Sequence, residues 1–273
     1  MIKFCHISPH CLEEGAIAMS GAHLTLAHLV EEMGNKYTSR FQDGKDIIMD
    51  NSVFERHSEG REVYPPERLL GMGYDVGADY IVMPDYPGEP GEKTMDAAEE
   101  LGHKFKEHGF KTVFVPQSRF GELDDYLETF EWGIGQDWID LIGVSILGVP
   151  NAYGIEAQNR LQRFTSRWKI MHDLICGRIL NDNHYGRLHF LGMTEGPNEI
   201  LLVKEFKEYI NSWDSSAAVW AGMQGIEFDT SPTGLMNGKI GKHVDFQEKE
   251  PSPIDRSKVM ANIMFINALI DRL

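Results

Sequence analysis

The chain has 273 residues, of which 42% are hydrophobic and 25% charged; this composition excludes a disordered or fibrous chain and suits one large α/β domain or two small ones. A net charge of −16 excludes a broad basic face for gripping a duplex and leaves only local strips, at Arg160, Arg163, Arg167 and Lys169 or at Lys239 and Lys242. Three scattered cysteines, Cys5, Cys11 and Cys176, form no C-x-C or C-x-x-C pair, which excludes a disulfide framework and a zinc site of the usual spacing.

The first element, IKFCHIS at 2–8, reads as a buried strand, and its surroundings lack the longer apolar core of a signal peptide. No run of about 18 apolar residues suggests a membrane span, so the expectation is a cytoplasmic protein with no membrane partner. Further short apolar runs follow at 46–52 (DIIMDNS), 79–85 (DYIVMPD), 111–118 (KTVFVPQS), 138–145 (WIDLIGVS) and 187–193 (RLHFLGM). Their length and their Val, Ile and Phe content read as buried parallel strands. Helical intervals are expected at 95–108, 122–131, 155–177, 198–211 and 256–272. The last has apolar spacing suited to packing on a core, and the charge-rich 95–108 reads as a solvated face.

The strands close on Asp50, Asp85, Gln117 and Ser145, roughly 30 residues apart, the spacing of a repeated strand, loop, helix and return loop. This favours a TIM-type (β/α)8 barrel, or a doubly wound sheet, with one domain over residues 1–273 and no zinc module. In a barrel the C-terminal strand ends share one mouth, where active sites are built. The Pro/Gly-rich segments PDYPGEPGEK (84–93) and GVPNAYG (148–154) then read as loops at that mouth rather than as linkers.

In isolation each polar strand end has a plainer reading. Asp50 and Asp85 suit turns, Gln117 a cap and Asp214, in NSWDSS, a helix N-cap. Only convergence on one mouth makes them a site. The glycines of GMGYDVG (71–77) are wrongly spaced for a dinucleotide fingerprint, and the eleven histidines, His6, His10, His184 and His189 among them, show no tight ligand spacing. Trp213 and Trp220 read as core.

In chain order the motifs of residues 46–216 resemble those of the tRNA-guanine transglycosylase superfamily, most of all the small phage-type 7-deazaguanine DNA transglycosylases. MDNSVFE resembles the D-S-G-G-[FY]-Q segment, which implies Asp50 as general acid/base, Phe54 as the aromatic over the base and Asn51 beside it. IVMPDYP is similar to the strand end of the guanine-reading aspartate, here Asp85, and VFVPQS to the V-Q-G strand end, here Gln117. IGVSILG is similar to the G-G-L-A-x-G loop, implying that Gly143, Val144 and Ser145 offer backbone groups to the base. LHFLGM resembles Y-L-M-G-V-G, aligning Leu191, or else Met193, with the apolar floor. WDSS takes the place of the nucleophile segment, which makes Asp214 the nucleophile. The chain departs at Ser52 and Val53, where the pattern has two glycines, at Val144, and after Asp214, where P-T-R is missing. The missing cysteine-rich zinc module weighs against tRNA.

The residue types suit the chemistry that the resemblance implies. Exchange of a purine at a nucleoside needs one carboxylate to attack the anomeric carbon, as in retaining glycosidases, and a second to carry a proton between the bases. Asp85 accepts from the ring N–H and exocyclic amine of guanine, and Gln117 donates to its carbonyl. The nucleotide must be single-stranded or flipped out to enter a pocket. The expectation is therefore replacement of guanine in DNA by a free 7-deazaguanine base such as 7-cyano-7-deazaguanine. It involves no cofactor or metal, leaves open a helper protein that opens the duplex, and places Arg160, Arg163, Arg167 and Lys169 on the polynucleotide. The alternatives are the same exchange on tRNA and a catalytically idle barrel that binds a purine or a partner protein.

Overall fold

Eight short strands, β1 Lys3–His6, β2 His23–Leu26, β3 Ile47–Asp50, β4 Tyr80–Val82, β5 Lys111–Phe114, β6 Leu141–Ser145, β7 Leu188–Leu191 and β8 Ile210–Ser215, alternate with helices in the computed structural model. It describes residues 2–9, 13–58, 60–193, 196–228 and 253–273. The strands form one sheet in the order β1-β8-β7-β6-β5-β4-β3-β2, and every hydrogen-bonded pair is parallel. The Gly21 N–H donates to the Phe4 carbonyl across 2.8 Å, drawing the start of β2 toward β1. The sheet thus curls into a nearly closed TIM-type barrel, and the expected fold class is the one observed.

The strands form because they are short, branched or aromatic and buried on both faces: Ile47, Ile48 and Met49 in β3, and Leu188, His189 and Phe190 in β7, are all inaccessible. The helices cover the outer face. Gly91–Glu107 places Glu92 in its first turn and Lys104 and Lys106 in its last, each complementing the helix dipole. Gly102 lets it lie against Trp138, whose ring atoms come within 2.0 Å of where a Cβ would stand. The helix Pro253–Ile270 seals the wall beside β1 and β8 with the buried side chains Val259, Ile263, Ile266 and Leu269. Its Asn262 donates to the carbonyls of Ala218 and Ile226 and accepts from Phe228 N–H, tying the chain after β8 to this helix.

Two elements differ from the sequence reading. Residues 198–211 are not one helix but a single turn, Glu199–Leu202, a 3-10 stretch, Lys204–Tyr209, and then β8. The strands β2 and β8 were not expected, and β8 carries Asp214. GMGYDVG lies in the helix Pro66–Val76 and its left-handed cap at Gly77. No helix among the described residues is long and apolar enough to cross a membrane.

Candidate active site

At the C-terminal mouth the strand ends enclose a pocket of about 170 Å³ that opens to the surface. Asp50, Asn51, Glu55, Asp85, Gln117, Ser145 and Asp214 supply its polar groups. Leu24, Leu26, Val82, Val115 and Leu191 supply an apolar wall, and Phe54, 56% exposed, stands at the rim. Four strands therefore aim a carboxylate or an amide into one space, as the barrel geometry demands.

Asp50 ends β3, and the chain then turns through Ser52, a buried residue with a left-handed φ of 56°. Such a backbone is strained for a residue with a side chain and is held by its contacts. Ser52 N–H donates to Asp50 Oδ2 at 2.8 Å, and the Ser52 hydroxyl lies 3.0 Å from His28 Nδ1 and accepts from His28 N–H at 3.2 Å. Desolvation, then the Glu55 carboxylate, and more distantly Asp214 and Asp85, push Asp50 well above the usual carboxylate range, against the Ser52 hydrogen bond. The protonated form of Asp50 is thereby favoured over that of an exposed aspartate.

Asp85 lies deeper. Asn51 Nδ2 donates to its Oδ1 at 2.8 Å and to the Met83 carbonyl at 2.7 Å, while Gln117 Nε2 donates to its Oδ2 at 2.6 Å. Asn51 Oδ1 accepts from Val53 N–H, which fixes the Asn51 amide and begins the helix Val53–Ser58. Burial pushes the Asp85 carboxyl up to about 6, against both amide hydrogen bonds. Each Asp85 oxygen keeps a further lone pair for a ligand. The Gln117 carbonyl oxygen is buried without a hydrogen-bond partner.

Asp214, on β8, receives the Gly192 N–H at 3.2 Å from each oxygen, and His189 Nε2 lies 3.1 Å from Oδ2. His189 Nδ1 in turn meets the Ser212 hydroxyl at 2.7 Å. Behind this group Arg167 is inaccessible and makes a two-pronged ion pair with the equally buried Glu199, 2.7 Å at both contacts. The same guanidinium donates to the carbonyls of Val144, Leu191 and Gly192 and lies 4.9 Å from the ring centres of Phe190 and Trp213. It braces the ends of β6 and β7, and with them the amide that holds Asp214.

The structure brings together Asp214, Asp50, Asn51, Phe54, Asp85, Gln117, Ser145 and Leu191. Gly143, Val144 and Met193 fall outside the pocket lining. The Val144 carbonyl is taken by Arg167, and a Cβ on Gly143 would stand 2.8 Å from both Leu191 and Val115, so this glycine makes room for the floor instead of touching a ligand. Leu191, not Met193, lines the pocket.

The expected basic strip needs correction. Arg167 faces the core because it sits on the inner side of the helix Arg160–Cys176, where only a paired cation is tolerated. Arg163 donates to the Ile146 carbonyl, the exposed Lys169 lies over the Tyr153 ring, and Arg160 is exposed at the helix start. The other strip, Lys239 and Lys242, lies outside the described residues, as do His10 and Cys11. Trp213 is core, as expected.

Sequence reasoning missed His189, Gly192 and Glu55. Strand alternation offered a signal for the first, because His189 stands two residues before Leu191 and so on the same face, one layer deeper. Among the described residues no group of three or more His, Cys, Asp or Glu side chains is placed to hold a metal ion. Compared with known proteins, the chain matches no family model and no curated protein.

Proposed function

We propose that this barrel exchanges guanine in a polynucleotide, DNA in the first instance, for a free 7-deazaguanine base through a covalent aspartyl intermediate. The observation that carries the reading is the convergence of Asp50, Asp85 and Asp214, in unlike surroundings and with Glu55 beside Asp50, on one largely apolar pocket. Asp50 is desolvated, which favours its protonated form, Asp85 is gripped by two side-chain amides, and Asp214 is oriented by a backbone N–H and an imidazole. Carboxylates set to different tasks by their environments are the working parts of glycosyl transfer with retention.

In this reading Asp214 attacks the anomeric carbon as guanine leaves, and Asp50 gives its proton to the departing base. Asp50 then takes a proton from the incoming one. Asp85 accepts from the ring N–H and exocyclic amine of the base, while Asn51 holds Asp85 in place. Gln117, whose amide already donates to Asp85, turns part of that donation toward the base carbonyl. Phe54 at the rim covers the base. The missing cysteine-rich zinc module favours DNA over tRNA.

The test is incubation of the protein with labelled guanine and with a labelled 7-deazaguanine, each in the presence of single-stranded DNA, duplex DNA or tRNA. Label entering DNA supports the proposal in full. Label entering tRNA keeps the chemistry and overturns the polymer. If neither labelled guanine nor a labelled 7-deazaguanine enters any polymer, the pocket is that of a purine-binding barrel without turnover.

A further inference from the structure

We infer that His189 is a positioning residue for Asp214: its imidazole ties down one carboxylate oxygen, leaving the other to attack, and steadies the carboxylate when it departs in the return step. The inference deepens the base-exchange reading and rests on it for its kinetic consequences.

The layer beneath a barrel mouth is ordinarily filled by branched apolar side chains. Here that layer holds a buried His189 and a buried Ser212, facing each other across β7 and β8. Their pairing depends on an irregularity. Leu188 pairs with Ile210 but His189 pairs with Ser212, so β8 carries one extra residue, Asn211, at this point. Without the extra residue His189 would oppose Asn211, and Ser212 and Asp214 would fall out of step with it. Bulges of this kind re-aim side chains next to active sites.

Hydrogen-bond logic fixes the ring. An ionised carboxylate only accepts, so the contact between Nε2 and Asp214 Oδ2 requires a proton on Nε2. In the neutral ring Nδ1 is then the acceptor, and the Ser212 hydroxyl, 2.7 Å away, donates to it. Oδ2 is held by both His189 and Gly192, whereas Oδ1 is held by Gly192 alone. Oδ1 is thus the oxygen left for attack.

In the first step an Oδ1 lone pair forms the bond to the anomeric carbon as the carbon–N9 bond breaks, and its electron pair leaves with the base, which takes the Asp50 proton. Oδ2 becomes the ester carbonyl oxygen, still facing Nε2–H. In the return step N9 of the incoming base attacks the anomeric carbon. The carbon–Oδ1 electrons return to the carboxylate, and the proton of N9 passes to Asp50. A donor on Oδ2 stabilises the departing carboxylate, so its loss slows the return step more than the attack.

The experiment compares wild type, His189→Phe and His189→Gln in single-turnover exchange, with the covalent protein–DNA adduct resolved on denaturing gels. His189→Phe should lower kcat about ten- to a hundredfold, leave KM for DNA unchanged and make the adduct the main species. His189→Gln, which restores an amide donor, should recover part of the rate and remove the adduct. Equal losses in both variants with a raised KM and no adduct would overturn the inference. Nitrogen-15 histidine spectra supply a readout free of turnover: wild type should show the Nε2–H form, and Ser212→Ala should mix the two tautomers. A wild-type Nδ1–H ring overturns the inference even if exchange is observed. An Nε2–H ring in a protein that exchanges no base on DNA or tRNA overturns the base-exchange reading, and the positioning role falls with it.

Discussion

Gln117 donates its amide to Asp85 across 2.6 Å, and this contact joins the ends of two neighbouring units of the barrel at the floor of the pocket. With Asn51 on the other oxygen, Asp85 is oriented before any ligand arrives. Neither partner is charged, so burial prevails and the carboxyl sits at about 6.

Base recognition should therefore fail on acidification. A protonated Asp85 no longer presents two acceptors, and guanine affinity measured by calorimetry should fall about tenfold per pH unit below about pH 6. Asp85→Ala should abolish binding, and Gln117→Ala should weaken it by about tenfold. Unchanged affinity between pH 7 and pH 5 would contradict the assignment.

The same shift acts on stability with a definite sign. The folded pKa of Asp85 lies above its unfolded value, so its contribution is greatest below the unfolded value and is lost as pH rises from about 4 through about 6. Asp50 is displaced in the same direction. Asp50→Asn, which keeps an oxygen for the Ser52 N–H, should raise Tm more at pH 8 than at pH 5 while abolishing exchange. An equal shift at both pH values would show that Asp50 is ionised in the fold.

The Arg167–Glu199 pair is predicted to support the site from behind. Arg167→Ala takes the buried cation away from Glu199 and should cost about 3–5 kcal/mol, readable in urea unfolding. The double variant Arg167→Met, Glu199→Leu should recover much of that stability yet lose activity, because the Val144, Leu191 and Gly192 carbonyls lose their brace. Full activity in a stable double variant would mean that the brace is dispensable.

Gly192 has a left-handed φ of 72°, and a Cβ there would stand 2.7 Å from Ile146 Cδ1. Gly192→Ala must shift the amide that holds Asp214. It should lower kcat at least tenfold with little change in KM for DNA. Ser52→Gly, by contrast, relieves a left-handed residue and should be close to neutral in stability, which thermal unfolding would show.

Much of this was legible in the sequence, for physical reasons that differ by residue. The strand ends Asp50, Asp85, Gln117 and Ser145 were readable because each closes an apolar run at a steady spacing, and a barrel brings such ends together. β8 was not readable: INSWDS has polar residues facing inward and a bulge at Asn211, so alternation is lost, and the charged run KEFKEY before it mimics a helix. Arg167 was misplaced because composition cannot say which side of a helix faces the core. It is Glu199, 32 residues away, that makes its burial tolerable. Gly143 and Val144 sit on the right strand but one layer too deep or turned toward the helix Arg160–Cys176.

In the proposed reaction Asp214 forms a covalent bond to the nucleotide, which is measured most directly by transfer of labelled guanine into single-stranded DNA by wild type and Asp214→Asn. Wild type should put label into DNA and form a protein–DNA adduct that survives denaturation, and Asp214→Asn should do neither at unchanged Tm. Label incorporated equally by Asp214→Asn would contradict it, because exchange would then proceed without the carboxylate to which the whole arrangement assigns the attack.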